Sequence, residues 1–338
     1  MAPHSPQAAQ GTRVAWPPSI PTALGVLNNP LSGGNAGWRD LRRLAKAELS
    51  GQCWSDVTTL AEIAEALQGF ARVGVDAILV NGGDGTVQAV LTSLLRDAPF
   101  ETLPRLAVLG AGSTNMIAGD VGVGGRQRGG LRRVLAWAQG EPTDLTVAQR
   151  SVLRVTVRRD ASPVFGMFFG AAGINQGIEF CRRRVHPRGL RGETGAGLAL
   201  ARVLLSLVGG GNGILTPVPV TVELDGGPAE EAPRLAVLVS TLDRLVLGLR
   251  PYWGSEPAPL RYTAIDDRPR HLLRVLPALL RGRPSRLAVP ADGYRSRNVT
   301  EVRLAFDGGF TVDGEMFVAE RQAGPVVLQH GGTVTFVR

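Results

Sequence analysis

The chain has 338 residues, of which 44% are hydrophobic and 20% charged, with a formal net charge of +8. That is enough apolar material for two sizeable cores, and the positive balance keeps nucleic acid, nucleotide phosphates and an anionic membrane face in view as partners. Lys46 is the sole lysine and no Gly-Lys-Ser/Thr tripeptide occurs, which excludes a Walker A loop; the strand lysine and His-Arg-Asp loop of protein kinases are missing too.

Met1 to Pro21 is rich in Pro, Ala, Gln and Ser, has no apolar core of signal-peptide type, and reads as a disordered tail over residues 1–21. Ala23-Leu24-Gly25-Val26-Leu27 predicts a buried strand, followed by a helix from Trp38 through Leu49 and a second from Thr58 to Phe70. Ala77-Ile78-Leu79-Val80 is the next strand, with a helix from Val87 to Leu95. Arg105 to Leu109 is another, and a helix over Leu131 to Ala138 closes the set. Strand–loop–helix repetition over residues 22–143 predicts an α/β domain, a parallel sheet flanked by helices.

Beyond about Thr143 the period changes. Val152 to Val157, Val218 to Leu224 and Val302 to Phe306 alternate, and Asp225-Gly226-Gly227 and Asp307-Gly308-Gly309 read as hairpin turns. Residues 144–330 therefore predict an antiparallel β-sandwich domain with helical insertions at 195–208 and 270–281; residues 331–338 form a last strand whose domain stays open. The apolar stretch Leu198 to Val208 is far short of the roughly 20 residues a spanning helix needs. Cys53 and Cys181 have no CxxC spacing and read as free thiols in a reducing cytoplasm. His4, His186, His271 and His330 show no metal-ligand spacing.

Asn81-Gly82-Gly83-Asp84-Gly85-Thr86 lies between a strand and a helix. Glycines there let the backbone approach phosphate oxygens, and the helix start aims free N–H groups and its positive dipole end at the same place. Asp84 is the charged exception; such a carboxylate holds Mg²⁺, orients an acceptor hydroxyl, or simply caps the helix. Asn28-Asn29-Pro30-Leu31-Ser32-Gly33-Gly34 and Gly110-Ala111-Gly112-Ser113-Thr114-Asn115 follow two other strands, so all three loops are expected at the ligand-binding edge of the sheet.

In order, these loops resemble the motifs of the diacylglycerol kinase catalytic family, which includes sphingosine and ceramide kinases: Asn-Pro-x-Ser-Gly, Gly-Gly-Asp-Gly-Thr and Gly-Thr-Gly-Asn-Asp. Phe169-Gly170-Ala171-Ala172-Gly173-Ile174-Asn175 and Val312-Asp313-Gly314-Glu315 are similar to the family's segments in the second half. The resemblance implies a diacylglycerol-kinase-like or NAD-kinase-like fold, ATP as phosphoryl donor and Mg²⁺ as cofactor. It implies nucleotide contacts from Asn29, Ser32, Gly33, Gly34, Gly82, Gly83, Asp84, Gly85, Thr86, Gly112, Ser113 and Asn115. Asp313 is implied as general base with Asp84 as its rival, and Glu315 acts beside them at the interdomain cleft; Asp84 and Glu315 are the candidate Mg²⁺ ligands.

The chain departs from the pattern at Thr114 and Met116, at Gly119 where the family has arginine, and over Ala258 to Thr263, where bacterial members carry Asp-Gly-x-Leu-Asp. Those departures mark a divergent branch and set its structural Mg²⁺ site and its acceptor apart from the usual ones. The expected activity is lipid kinase; an NAD-kinase-like or other small-molecule kinase and an inactive lipid-binding homologue are the alternatives. The expected partners are a nucleotide and a lipid acceptor at a membrane surface, not nucleic acid; a homodimer is the oligomer considered. The location is cytoplasmic, peripheral at the inner face of the membrane. Arg270, Arg274 and Arg281 on one face of a helix that also carries Leu272, Leu273, Leu276 and Leu279, the apolar run Leu245 to Trp253, and Arg182-Arg183-Arg184 are the expected membrane elements.

Overall fold

The computed structural model describes residues 19–33, 43, 53–158, 160–174 and 216–338. The expected helix Trp38–Leu49, the insertion at 195–208, Arg182 to Arg184, Asn175 and Gly34 lie outside the described residues.

In the first half, strands β1 (Leu24–Asn28), β2 (Trp54–Asp56), β3 (Ala77–Gly82) and β4 (Arg105–Gly110) are parallel, in the order β4-β3-β1-β2. β1 and β3 are buried at every position, as strands covered on both faces must be. Helices α1 (Leu60–Arg72), α2 (Asp84–Arg96), α3 (Met116–Val121) and α4 (Gln127–Ala138) connect them. A capping box between Thr59 and Glu62 starts α1, whose Ile63, Leu67 and Phe70 are buried. Its Phe70 ring sits so close to β1 that a Cβ on Gly25 would lie 2.8 Å from it, so that strand position admits only glycine without a shift.

The second half holds β5 (Val147–Thr156), β6 (Val164–Gly166), β7 (Phe168–Ala172), β8 (Val218–Leu224), β9 (Glu230–Ser240), β10 (Leu260–Asp266), helix α5 (Leu272–Leu280), β11 (Tyr294–Val299), β12 (Glu301–Ala305), β13 (Gly308–Val312), β14 (Glu315–Ala319) and β15 (Val326–Val337). Pairing among them is antiparallel, and their inward residues share one core that includes Leu153, Phe169, Val237, Tyr262, Leu304 and Phe310. The turn at Asp225-Gly226-Gly227 joins the paired strands β8 and β9. Asp307-Gly308-Gly309 does not make a hairpin: β12 has β8 and β15 on its two edges, so the chain crosses over and β13 pairs with β7 and β14 instead. Turn residues permit a reversal, but the free strand edge decides the partner.

The last strand serves both halves. β15 is antiparallel to β12 and β5, and its end pairs parallel with β4 through Phe336↔Leu106 and Val337↔Ala107. A register shift between His330 and Thr333, with Gly332 at φ +121°, falls between the stretch paired with β12 and the stretch paired with β4. Helix α2 also bridges the halves, since Thr92 Oγ1 accepts the Phe165 N–H (3.0 Å) and donates to the Phe165 carbonyl (3.1 Å).

Candidate active site

Register brings the three glycine-bearing loops to one edge. Asn28 pairs with Asn81 and Gly82 with Gly110, so β1, β3 and β4 end level. Beneath the loops runs a polar ladder that joins Asn28 and Asn81, at the heads of two motif loops, to Asp56 and Gln127, which no motif pointed to. Asn81 Nδ2 donates to Asn28 Oδ1 (2.7 Å), Asn28 Nδ2 donates to Asp56 Oδ1 (2.7 Å), and Gln127 Nε2 donates to Asn81 Oδ1 (3.2 Å). Its sequence signal is slight: a polar residue ends each of two otherwise apolar strands. Both asparagines are buried, so these bonds hold groups that would be costly to leave unpaired.

The first loop is tied to the second. Asn29 donates from its backbone to the Asn81 carbonyl (2.9 Å) and from Nδ2 to Thr86 Oγ1 (2.9 Å), while Ser32 Oγ accepts the Gly83 N–H (3.3 Å). Gly83 caps α2 from extended backbone without a side-chain hydrogen bond. The Gly83 N–H goes to Ser32 Oγ and the Thr86 N–H to the Gly83 carbonyl (3.0 Å), so among the described residues the Asp84 and Gly85 N–H groups are those left to face an anion-binding position. Contact is tight: a Cβ on Gly82 would lie 2.6 Å from Thr86, and one on Gly112 would lie 2.7 Å from the Gly83 Cα. Gly33, by contrast, is exposed with open space around it.

Asp84 ties the second loop to the third. Its Oδ2 accepts the Met116 N–H (3.0 Å) and its Oδ1 the Ile117 N–H (2.9 Å), capping α3 from across the site. Asn115, at φ +51°, closes the third loop by exchanging hydrogen bonds with Gly112 (2.7 and 2.8 Å); asparagine is among the few residues that take this conformation readily. Burial pushes the Asp84 carboxyl above the usual range, and the two N–H groups partly offset it. Ser113 is half-buried in the same turn. Asp84→Ala is expected to cost about 1–3 kcal/mol in a denaturant titration, because two charge-assisted bonds go and the third loop is released; an unchanged midpoint would refute the capping role.

From the second half, the β13–β14 turn delivers two carboxylates to different environments. Asp313, at φ +48°, is 2% exposed, and its oxygens accept the Met167 and Phe168 N–H groups at 2.9 Å each. A Cβ on Gly166 would lie 2.5 Å from Asp313 Oδ2. Burial drives its carboxyl well above the usual range; the two N–H groups oppose this and the nearby Asp84 charge adds to it. Glu315, two residues on, is exposed, and its Oε1 lies 2.5 Å from where a Gly85 Cβ would stand. Glu315 thus reaches over the first turn of α2 while Asp313 is sealed beneath.

A charged cluster lies beside the third loop. Arg150 donates through Nε to Asp120 Oδ2 (3.0 Å) and through Nη2 to Asp243 Oδ2 (2.6 Å). Arg261 donates to Asp243 Oδ1 (2.6 Å) and to the carbonyls of Thr241 and Leu242. Two carbonyls and a carboxylate are the oxygen donors a hard divalent cation would use, and here a guanidinium occupies them. A structural Mg²⁺ does not fit this cluster. Among the described residues no group of three His, Cys, Asp or Glu side chains converges to hold a metal. A nucleotide-borne Mg²⁺ needs only one or two carboxylates beside the phosphates; Asp84 and Glu315 fit that demand, since each Asp84 oxygen keeps a second lone pair.

Residues 23–149 match the family model described as the diacylglycerol kinase catalytic domain. Among solved structures, the fold is similar to a diacylglycerol kinase from Bacillus anthracis at 15% identity, covering 94% of this chain and 97% of that one with a TM-score of 0.59. A putative diacylglycerol kinase from the same organism matches at 16% identity over 94% and 98% of the two chains, TM-score 0.62. No curated protein matches by sequence.

Proposed function

From the match of residues 23–149 to the diacylglycerol kinase catalytic-domain model, we propose that the chain is a member of that family and transfers the γ-phosphoryl group of ATP to a hydroxyl of a diacylglycerol-like lipid. The observation that carries this is the Glu315 carboxylate lying over Gly85, an acid from one half facing the glycine loop of the other. The Asp84 and Gly85 N–H groups in the first turn of α2 and the positive end of its dipole are suited to the triphosphate, with Asn29, Ser32 and Asn115 holding the surrounding loops in place. Asp84 would hold Mg²⁺, which would supply charge neutralisation to the phosphates, and Glu315 is left for the acceptor hydroxyl.

Glu315 is our choice of base. Asp313 is buried and both its oxygens are occupied by backbone donors, so its part is to fix the turn that presents Glu315. In the reaction the acceptor oxygen bonds to the γ-phosphorus, the bond from that phosphorus to the β–γ bridging oxygen breaks, and the hydroxyl proton passes to Glu315, leaving ADP. Positioning and electrostatics supply most of the acceleration in such transfers.

The test is ADP release by the purified protein with ATP and Mg²⁺ against a panel of lipid hydroxyls, NAD and soluble alcohols. Lipid-dependent release is expected. Release that depends on NAD alone would select the NAD-kinase-like alternative, and nucleotide binding without release on any acceptor would overturn the kinase reading.

A further inference from the structure

Residues 268–291 hold six arginines and no carboxylate. Arg268, Arg270, Arg274, Arg281, Arg283 and Arg286 are all exposed. Among the described residues, acidic neighbours reach only the first two, Asp267 at 3.7 Å from Arg268 and Asp292 at 4.0 Å from Arg270. So dense an uncompensated charge on one segment asks for an anionic counterpart.

Helix α5, at the centre of the segment, divides its leucines in a way periodicity alone did not. Val275 and Leu279 are buried with Ala288 and Tyr294, and Leu272 packs against them, but Leu273 is 63% exposed. At 100° per residue, Leu273, Pro277 and the half-buried Leu280 share the outward face with Arg274 and the C-cap Arg281, while Arg270 lies before the left-handed His271 that caps the helix. The helix continues through Pro277 because its inner face is anchored in that small core. Next to it, Arg250 N–H donates to the Leu280 carbonyl (2.9 Å), joining the helix to the loop 245–249, whose tip residue Leu247 is 51% exposed at φ +57°. Leu245, at the root of that loop, packs on the core that includes Met116 and Ile117 at the start of α3, the turn Asp84 caps.

We infer that the outward face of α5, with the Leu247 loop tip beside it, is the surface on which the protein docks to an anionic lipid bilayer. Arginines pair with headgroup phosphates and surface charge, while Leu273, Pro277 and Leu247 enter the acyl boundary; an outward face that mixes leucine with arginine suits an interface better than bulk water. Nucleic acid would call for the arginines but not the leucines, and the face carries no stacking aromatic. The inference deepens the lipid-acceptor reading and rests on it for its purpose, since docking there puts the membrane beside the third glycine loop.

The experiment is co-sedimentation of the full chain, without nucleotide or acceptor, with phosphatidylcholine vesicles and with vesicles containing about 30 mol% phosphatidylglycerol. Binding to the anionic vesicles should be roughly tenfold tighter and weaken as salt shortens the screening length. Arg274→Gln/Arg281→Gln and, separately, Leu273→Ser/Leu247→Ser should each lower it about fivefold or more with the melting temperature unchanged. Equal binding to both vesicle types, wild-type binding by both variants, or a duplex-DNA affinity with the same variant dependence would overturn the inference. Turnover on an acceptor in detergent micelles separates the two readings. Variants that lose vesicle binding but keep micellar turnover support both. Variant-sensitive vesicle binding with no turnover by any form leaves the docking surface standing and removes the kinase.

Discussion

Arg150→Met is expected to destabilise the fold by about 3–5 kcal/mol, the range for removing one partner from a buried ion pair. Arg150 and Asp120 have side chains only 8% and 0% exposed. Without the guanidinium, Asp120 Oδ2 keeps only the Asp243 N–H at 3.1 Å, and Arg244 is 3.7 Å from an Oδ1 that has no hydrogen bond. The loss stems from a stranded charge, so adding Asp120→Asn to Arg150→Met should recover much of it. Acid sensitivity follows the same logic. Burial pushes the Asp243 carboxyl up, but the Arg150 and Arg261 charges outweigh it and hold it below its usual 3.8. A depressed folded pKa contributes stability that is present above the unfolded value and lost as pH falls through the folded one. Removing Arg150 raises that folded pKa, so part of this contribution should vanish and the variant should be less stable throughout the range above 3.8, with a shallower loss on acidification. Denaturant titrations across pH measure both effects, and midpoints equal to wild type would show the cluster to be energetically idle.

The second large effect is kinetic. Glu315→Gln should lower turnover by about 10²–10⁴-fold, the span expected for losing a general base, while the melting temperature stays put because the side chain is exposed. Nucleotide affinity should change by a few-fold at most. Asp313→Ala should behave in the opposite sense, costing about 1–3 kcal/mol of stability by leaving the Met167 and Phe168 N–H groups buried without acceptors. Single-turnover kinetics beside thermal melts tell the two apart. A fully active Glu315→Gln, or a well-folded Asp313→Asn without turnover, would return the base to Asp313.

Much of the first half is legible from residue order alone. Ala77 to Val80 is unbroken apolar sequence and forms the interior of a buried strand, and the helix expected over Thr58 to Phe70 starts two residues later, at Leu60 behind its Thr59 cap. The motif loops come to one edge because parallel strands of nearly equal length must end together. Contacts among distant residues are not legible that way. Asp120, Arg150, Asp243 and Arg261 meet from segments 18 to 123 positions apart, and none carries a local pattern that separates it from a solvated charge. The exposed Leu273 and buried Leu279 likewise look alike in sequence; the small core under α5 tells them apart.

Residue order determined where the chain bends tightly and where it is apolar, hence the alternating α/β half, the antiparallel half and the glycine turns between strand and helix. Backbone freedom and hydrophobic period are local properties, and each is written within a few residues. Only tertiary structure decided that Asp84 caps α3, that Asp313 is sealed while Glu315 stays in reach, and that an arginine stands where a cation could have bound. Desolvation and pairing depend on what packs around a group, and the packing neighbours come from the other end of the chain.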